Sequence, residues 1–347
     1  MVEFGPMQEN GSGRLDDDAG VGGKGKVDDL YRMQVARRLL ESRGPGCIHL
    51  LTGLRGSGKT RMVRDLLKTL EQQGEQTRYW SLEEPEFRWI RNGCDFFISV
   101  KNLLASVKGS ILLVLDEPAA IPYMSAAIGS LATDGGFELL VVSSTASILS
   151  AEERSYFAGR FNQEELLPTA ESRRCPWFEL LVKDVLKEPG VPDIHILERV
   201  AEYLAATVGK EHTQREMVDF VEWDRAISKN TPARCVSALC NAHVIRTVPK
   251  FNLFEGARSQ KGGLKYCFTN PEMRQQTFGR LSPAAELFEA TVVRLARQGE
   301  VCWVDDAPGV VDFVTLRGNG VTGCWRTTPE GPVVVPDVEL GFSFRAD

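Results

Sequence analysis

The chain has 347 residues, of which 43% are hydrophobic and 25% charged, with a formal net charge of −6. This length admits two or three domains with separate cores, and the composition excludes collagenous and wholly disordered chains. No run of 18 apolar residues offers a membrane span, and the acidic balance means that any nucleic-acid contact needs a local basic patch. Eight cysteines, at 47, 94, 175, 235, 240, 267, 302 and 324, include no Cys-x-x-Cys pair, which argues against a zinc site. With no basic and apolar leader at the N-terminus, a cytoplasmic protein with reduced thiols is expected.

Residues 1–27 are glycine-rich, carry Asp16-Asp17-Asp18 and lack apolar clusters, which predicts a disordered tail. A helix is expected from about Asp28, with Leu30, Val35, Leu39 and Leu40 on its apolar stripe, ending at Arg43-Gly44-Pro45-Gly46. Then Cys47–Thr52 reads as a buried strand, and Thr60–Leu70 as a helix with Met62, Val63, Leu66, Leu67 and Leu70 inward. Between them lies Gly53-Leu54-Arg55-Gly56-Ser57-Gly58-Lys59-Thr60, a complete phosphate-binding loop. Its glycines let backbone amides wrap a phosphate at a helix N-terminus, Lys59 reaches the β and γ phosphates, and Thr60 offers a hydroxyl to Mg²⁺.

Strands are further expected at 77–82, 111–115 and 138–143, alternating with helical segments. That order predicts an α/β fold of the P-loop NTPase type: a parallel sheet with helices on both faces. The run Ile111–Leu115 ends in Asp116-Glu117, placing Asp116 beside Thr60 as the second metal-site residue and Glu117 where it would polarise an attacking water. The fourth strand ends in Ser143-Ser144-Thr145, where a hydroxyl, assigned to Ser143, would contact the γ-phosphate or the water. Arg160, in Gly159-Arg160, is a candidate for stabilising transferred phosphate in the same or a neighbouring subunit. No Asn/Thr-Lys-x-Asp motif is present, so ATP is expected in preference to GTP.

After a polar, proline-interrupted stretch at 151–190, three helical patterns follow. Ile194–Leu204 carries one stripe, Thr213–Glu216 has capping-box spacing, and Thr231-Pro232 reads as a cap followed by proline at the first helical position. Strands at 244–254 and 264–268, with a turn containing Gly256 and Gly262-Gly263, complete the order of a winged helix. Residues 224–265 hold eight Lys/Arg (225, 229, 234, 246, 250, 258, 261, 265) against Asp224 and Glu255, a local +6 that makes duplex DNA a candidate partner. A helix from Ala284 and short strands at 301–304, 311–316, 321–326 and 332–335 close the chain.

These motifs together resemble a large prokaryotic group of AAA-type ATPases. Thr52-Gly53-Leu54-Arg55 with Gly58-Lys59-Thr60 is similar to its Gly-Pro-Arg…Gly-Lys-Thr loop, and Tyr79–Glu83 to its second strand. Leu115-Asp116-Glu117 with Ile121-Pro122, Val142–Thr145 and Gly159-Arg160 resemble its following motifs. The resemblance implies a C-terminal region made of a winged helix and a fold related to PD-(D/E)xK nucleases. Leu264–Pro271 resembles the segment after the wing, with Asn270 in place of the usual Asp. Glu289 and Asp312 match two family positions, but Val310 and the stretch Cys324-Trp325-Arg326 replace a Glu and the Glu-x-Lys, so cleavage is not expected.

The domains so implied are 1–27 (tail), 28–190 (ATPase), 191–280 (winged helix) and 281–347 (degenerate nuclease-like). The function implied is Mg²⁺-dependent ATP hydrolysis coupled to movement of the C-terminal domains, with homo-oligomer assembly a candidate. A slow nucleotide-gated DNA-binding or signalling switch is the alternative.

Overall fold

The computed structural model describes residues 21–335, except 42, 134–135, 158, 170–171, 173–174, 189, 192, 223–227, 260–263, 306–309 and 319. Residues 1–20 of the expected tail, the turn glycines 262–263, and Asp224, Arg225 and Lys261 of the basic segment lie outside the described residues, as does 336–347.

Helix α1 spans Val21–Leu39, beginning seven residues earlier than the apolar stripe implies. Gly22, Gly23 and Gly25 argue against a helix there, but propensity is a weak prior and the observed helix runs through them. Five strands follow: β1 Ile48–Thr52, β2 Thr77–Ser81, β3 Leu112–Asp116, β4 Glu138–Ser143 and β5 Phe161–Glu165. They form one parallel sheet in the order β2-β3-β4-β1-β5.

The unbroken apolar runs of β3 and β4 have a direct cause, since both faces of the sheet are covered. Leu112, Val114, Leu140 and Val142 face α1 and α2 (Lys59–Gln72), packing with Val35, Leu39, Val63 and Leu67. Leu113, Leu115, Leu139 and Val141 face α3 (Gly93–Ser106) and α4 (Met124–Thr133), packing with Phe96, Val100, Ile128 and Leu131. Because side chains alternate between faces, such a strand is apolar at every position.

Strand β5 falls inside the stretch read as a transition. Its sequence, Phe-Asn-Gln-Glu-Glu, is half-buried throughout, as an edge strand permits. Long-range partners hold its polar groups. Glu164 accepts two 2.9 Å hydrogen bonds from Arg38, and Asn162 donates to the carbonyl of Leu39 at 3.0 Å.

Past α5 (Ala151–Tyr156) and α6 (Trp177–Leu180), the helix widens into a π-helical turn over Leu181–Val185. Three helices then pack on one core: α7 Ile194–Ala206, α8 Gln214–Val221 and α9 Thr231–Asn241. Thr213 and Glu216 make the reciprocal capping box at the start of α8, whereas α9 is preceded by Asn230, placing Thr231 inside the helix. Antiparallel β6 (Ile245–Val248) and β9 (Lys265–Phe268) follow, with the short pair β7 (Phe251–Asn252) and β8 (Ala257–Arg258) between them.

Helix α10 (Pro271–Phe278) is capped by Asn270, whose side chain accepts from the Met273 amide at 3.1 Å; the residue that departs from the family pattern thus has a structural task. Helix α11 (Pro283–Leu295) then packs on a four-stranded antiparallel meander. Its strands are β10 Glu300–Trp303, β11 Phe313–Arg317, β12 Gly320–Thr328 and β13 Gly331–Val334.

Helices α10 and α11 are joined by a buried ion pair. Arg274 donates to Glu289 at 2.8 Å, and the two side chains are 3% and 2% exposed. Removing one partner strands a charge in the interior. Glu289→Ala is therefore expected to lower the urea unfolding free energy by about 3–5 kcal/mol. Replacing both residues (Arg274→Met with Glu289→Leu) should cost far less, and equal losses in the two variants would contradict this role.

Candidate functional site

Strands β1, β3 and β4 end at one edge of the sheet, where ligands of parallel α/β folds bind. The loop leaving β1 needs its glycines. Gly53, Gly56 and Gly58 have φ of 147°, 84° and 101°. A Cβ at Gly53 would lie 2.3 Å from the Leu166 carbonyl oxygen, so the loop closes against the chain leaving β5 only with glycine there. Lys59 folds back into this loop. Its Nζ donates to the carbonyls of Gly53 (2.9 Å) and Leu54 (3.3 Å) and to Ser144 Oγ (3.2 Å). Burial pushes its ammonium below the usual lysine range, opposed by Glu117 and Asp116.

Thr60 donates to Asp116 Oδ2 at 2.7 Å, and the Tyr79 hydroxyl donates to the same oxygen at 2.5 Å. Burial and Asp116 together push the Tyr79 phenol well above its ordinary value, so it stays a donor. The other oxygen, Asp116 Oδ1, is buried without a hydrogen-bond partner, as is Ser57 Oγ in the loop. Orphaned buried acceptors beside a hydroxyl are what a divalent cation would satisfy, and the oxygen donor set suits Mg²⁺.

Glu117 sits in the left-handed region (φ 56°, ψ 53°), a conformation that costs of order 1–3 kcal/mol in a residue with a side chain. The turn swings its carboxylate back across the strand ends. There it accepts from the Ser144 amide at 3.0 Å and from the Ser144 hydroxyl, with Lys59 Nζ at 3.9 Å. Burial raises the Glu117 pKa above the ordinary carboxylate value, against the pull of Lys59 and Ser144.

The hydroxyl in contact with Lys59 and Glu117 is therefore that of Ser144, one residue after the assigned Ser143. Ser143 Oγ accepts from the Thr145 amide at 3.1 Å and lies 3.3 Å from Thr145 Oγ1. Arg160 stands at the opposite end of the sheet. Its carbonyl accepts from Ile48 at the start of β1, about 13 Å from Thr52 at ~3.3 Å per residue. Its exposed side chain cannot serve the phosphates of its own subunit, which removes the same-subunit option.

Two site residues carried no signal of their own in the sequence. Tyr79 appeared only as part of a strand. Asp184, in the π-helical turn, takes Arg55 of the phosphate loop in a two-pronged contact at 2.8 and 2.8 Å. Glu83 holds the same guanidinium from the other side at 3.1 Å.

The basic segment is not a continuous cationic face. Arg246 pairs with Glu165 at 2.6 Å, Lys250 with Asp305 at 2.6 Å, and Arg258 with Glu300. Although burial pushes Glu165 up, Arg246 and His243 hold it well below the usual carboxylate range. Lys265 lies half-buried 3.9 Å from the Trp303 ring centre. Of the six described cations of this segment, three thus face acids distant in sequence, while Lys229 and Arg234 stand exposed. At the nuclease-like positions, Glu289 is committed to Arg274 and Asp312 accepts from the Thr327 amide at 2.7 Å. Among the described residues no group of three or more His, Cys, Asp or Glu could hold a metal ion, and no helix is long and apolar enough to cross a membrane.

The Tyr79 contact yields a test. Tyr79→Phe removes the donor that orients Asp116, and such substitutions typically cost 10–100-fold in metal affinity. The magnesium concentration needed for half-maximal nucleotide binding should rise by about tenfold, and an unchanged requirement would show that Thr60 orients Asp116 alone.

Comparison with known proteins agrees with this geometry at the level of the domain. The model of an AAA domain matches residues 46–172. An uncharacterized protein of Haemophilus influenzae is 20% identical over 343 residues, covering 84% of this chain and 85% of that protein. Among solved structures, the Aeropyrum pernix ORC2 protein in its ADPNP–ADP complexes aligns with 67% of this chain and 90% of its own, at 12% identity and a TM-score of 0.35. The Aeropyrum pernix ORC1 protein in complex with DNA aligns with 72% of this chain and 91% of its own, at 12% identity and a TM-score of 0.29. Phosphate loop, acid-tipped third strand and family match together make residues 46–172 an AAA-type P-loop ATPase domain.

Proposed function

We propose that the chain is a Mg²⁺-dependent ATPase whose turnover alters the relation between the sheet and the helices that follow it. The observation that carries the reading is the convergence of Lys59, Thr60, Asp116 and Glu117 at one sheet edge beside two orphaned buried oxygens. Thr60 and Asp116 would hold the magnesium, which supplies charge neutralisation between phosphate oxygens. The loop amides of residues 53–60 bind the phosphates at the start of α2. Lys59 exchanges its contacts with Gly53, Leu54 and Ser144 for phosphate oxygens.

Glu117 orients the attacking water and accepts its proton as the new P–O bond forms and the bond to the ADP oxygen breaks. The Ser144 hydroxyl, already bonded to Lys59 and Glu117, is placed to pass to the terminal phosphate or the water. Arg160, exposed at the far end of the sheet, would act on a neighbouring copy, which makes assembly part of the proposal. Helices α7–α9 with the β6–β9 pair supply the winged-helix reading, and α11 with β10–β13 the nuclease-like one. With Glu289 spent on Arg274, no cleavage step is assigned to that module.

One observation favours the slower-switch reading. The Glu117 carboxylate is held by Ser144 and faces Lys59, so the base is engaged in this state and must be released before it acts. Steady-state turnover with and without duplex DNA separates the two readings. Strong stimulation supports a DNA-dependent motor, and negligible turnover with ATP-dependent DNA affinity supports the switch.

Glu117→Gln should bind ATP normally and turn it over about 10²–10⁴-fold more slowly, the range set by loss of a positioned base. Unaltered turnover would remove Glu117 from the mechanism. The pH profile has a definite sign. As pH falls through the raised Glu117 pKa, the carboxylate gains a proton and can no longer accept one. The acid limb of kcat/KM should therefore lie above the ordinary glutamate value of 4.5 and be absent in Glu117→Gln.

A further inference from the structure

Two consecutive residues of the phosphate loop are built into the segment that leads to the C-terminal helices. The Leu54 side chain, 3% exposed, belongs to the core of α7–α9, where it joins Leu180, Leu181 and Val185. Arg55 spans the same junction with its two-pronged contact to Asp184, whose side chain is only 4% exposed, and its outer contact to Glu83, which is 49% exposed. The residues receiving them form the π-helical turn Leu181–Val185, a rare geometry concentrated at functional sites.

A small cavity of about 70 Å³ opens between this pair and Glu117, with Thr145 on its wall. Water's share of liquid volume is ~30 Å³, so the space has room for a few waters or a terminal phosphoryl group. Its walls carry Glu83, Glu117, Asp184 and Glu188 against Arg55, Lys183 and Lys187. With more acids than cations, a phosphoryl group there needs a guanidinium, and Arg55 is the cation on the loop itself.

We propose that Asp184 is a specificity-determining and positioning residue. It competes with the terminal phosphate of a nucleoside triphosphate for Arg55, so that triphosphate, but not diphosphate, parts the pair and releases the 181–185 turn. This inference rests on the ATPase reading. An uncompensated carboxylate buried as deeply as Asp184 is unfavourable, so the turn shifts to solvate it. Leu54, buried in the same core as Leu181 and Val185, carries the shift into α7–α9. The helices thereby register the terminal phosphate through the loop that binds it.

The test uses the full chain with magnesium and either ADP or a non-hydrolysable β,γ-imido ATP. Binding and hydrogen exchange of residues 177–188 are measured in the same samples. The triphosphate should speed exchange across 181–186 at least tenfold relative to ADP. Asp184→Asn should abolish that difference and raise the triphosphate-to-diphosphate affinity ratio about tenfold, because Arg55 no longer has a buried competitor. A merely structural Asp184 would shift both affinities equally and leave the ratio unchanged, which would overturn the proposal.

Glu83→Gln, at an exposed position, should move the ratio in the same direction by a smaller factor. If Asp184→Asn does not fold, this variant decides, and an unmoved ratio overturns the inference. Binding of both nucleotides with identical exchange profiles refutes this inference alone. Failure of both to bind refutes the ATPase reading with it.

Discussion

The hydrogen bond from Thr60 to Asp116 joins residues 56 positions apart, and it exists only because β1 and β3 run parallel and finish at the same edge of one sheet. Strand β4 lies between them, so three strands must be in register before the contact can form. The burial of both sheet faces supplies that register. Leu113, Leu115, Leu139 and Val141 on one side, and Val114, Leu140 and Val142 on the other, leave no alternative that keeps the runs dry. The site is thus a consequence of core packing, and its polar groups are held where the apolar strands end.

At that edge the chain keeps several groups in unfavourable states. Glu117 is turned left-handed and buried, Lys59 is desolvated, and Asp116 Oδ1 and Ser57 Oγ have no hydrogen-bond partner. Each is a defect for folding alone; a cation would satisfy Asp116 Oδ1 and a phosphate oxygen would compensate Lys59, while the strain at Glu117 serves to aim its carboxylate across the strand ends. Tyr79 and Ser144 limit the damage meanwhile by donating to Asp116 and Glu117.

Much of this was legible from residue types and spacing. Gly53–Thr60 and the acid pair after Ile111–Leu115 announce themselves because they interrupt apolar runs with polar, conformationally special residues. What escaped depended on contacts across long sequence distances. Strand β5 has no apolar alternation, since Arg38 and Arg246 satisfy its carboxylates. With β5 unseen, nothing indicated that Arg160 precedes a parallel strand and so lies at the far end of the sheet. Ser143 and Ser144 differ by one position, and only the contacts of the folded chain show which hydroxyl meets Lys59 and Glu117. Counting Lys and Arg along 224–265 missed Glu165, Glu300 and Asp305, which the fold brings alongside.

The orphaned oxygen of Asp116 and the hydroxyl of Thr60 would together take up a magnesium ion carried in with triphosphate. Calorimetric titration of the intact chain with ATP, with magnesium and then with the metal chelated, tests this directly, repeated for Asp116→Asn. Binding should require magnesium in the intact chain and be much weakened in the variant. Absence of magnesium-dependent affinity for ATP in the intact, folded chain would contradict it.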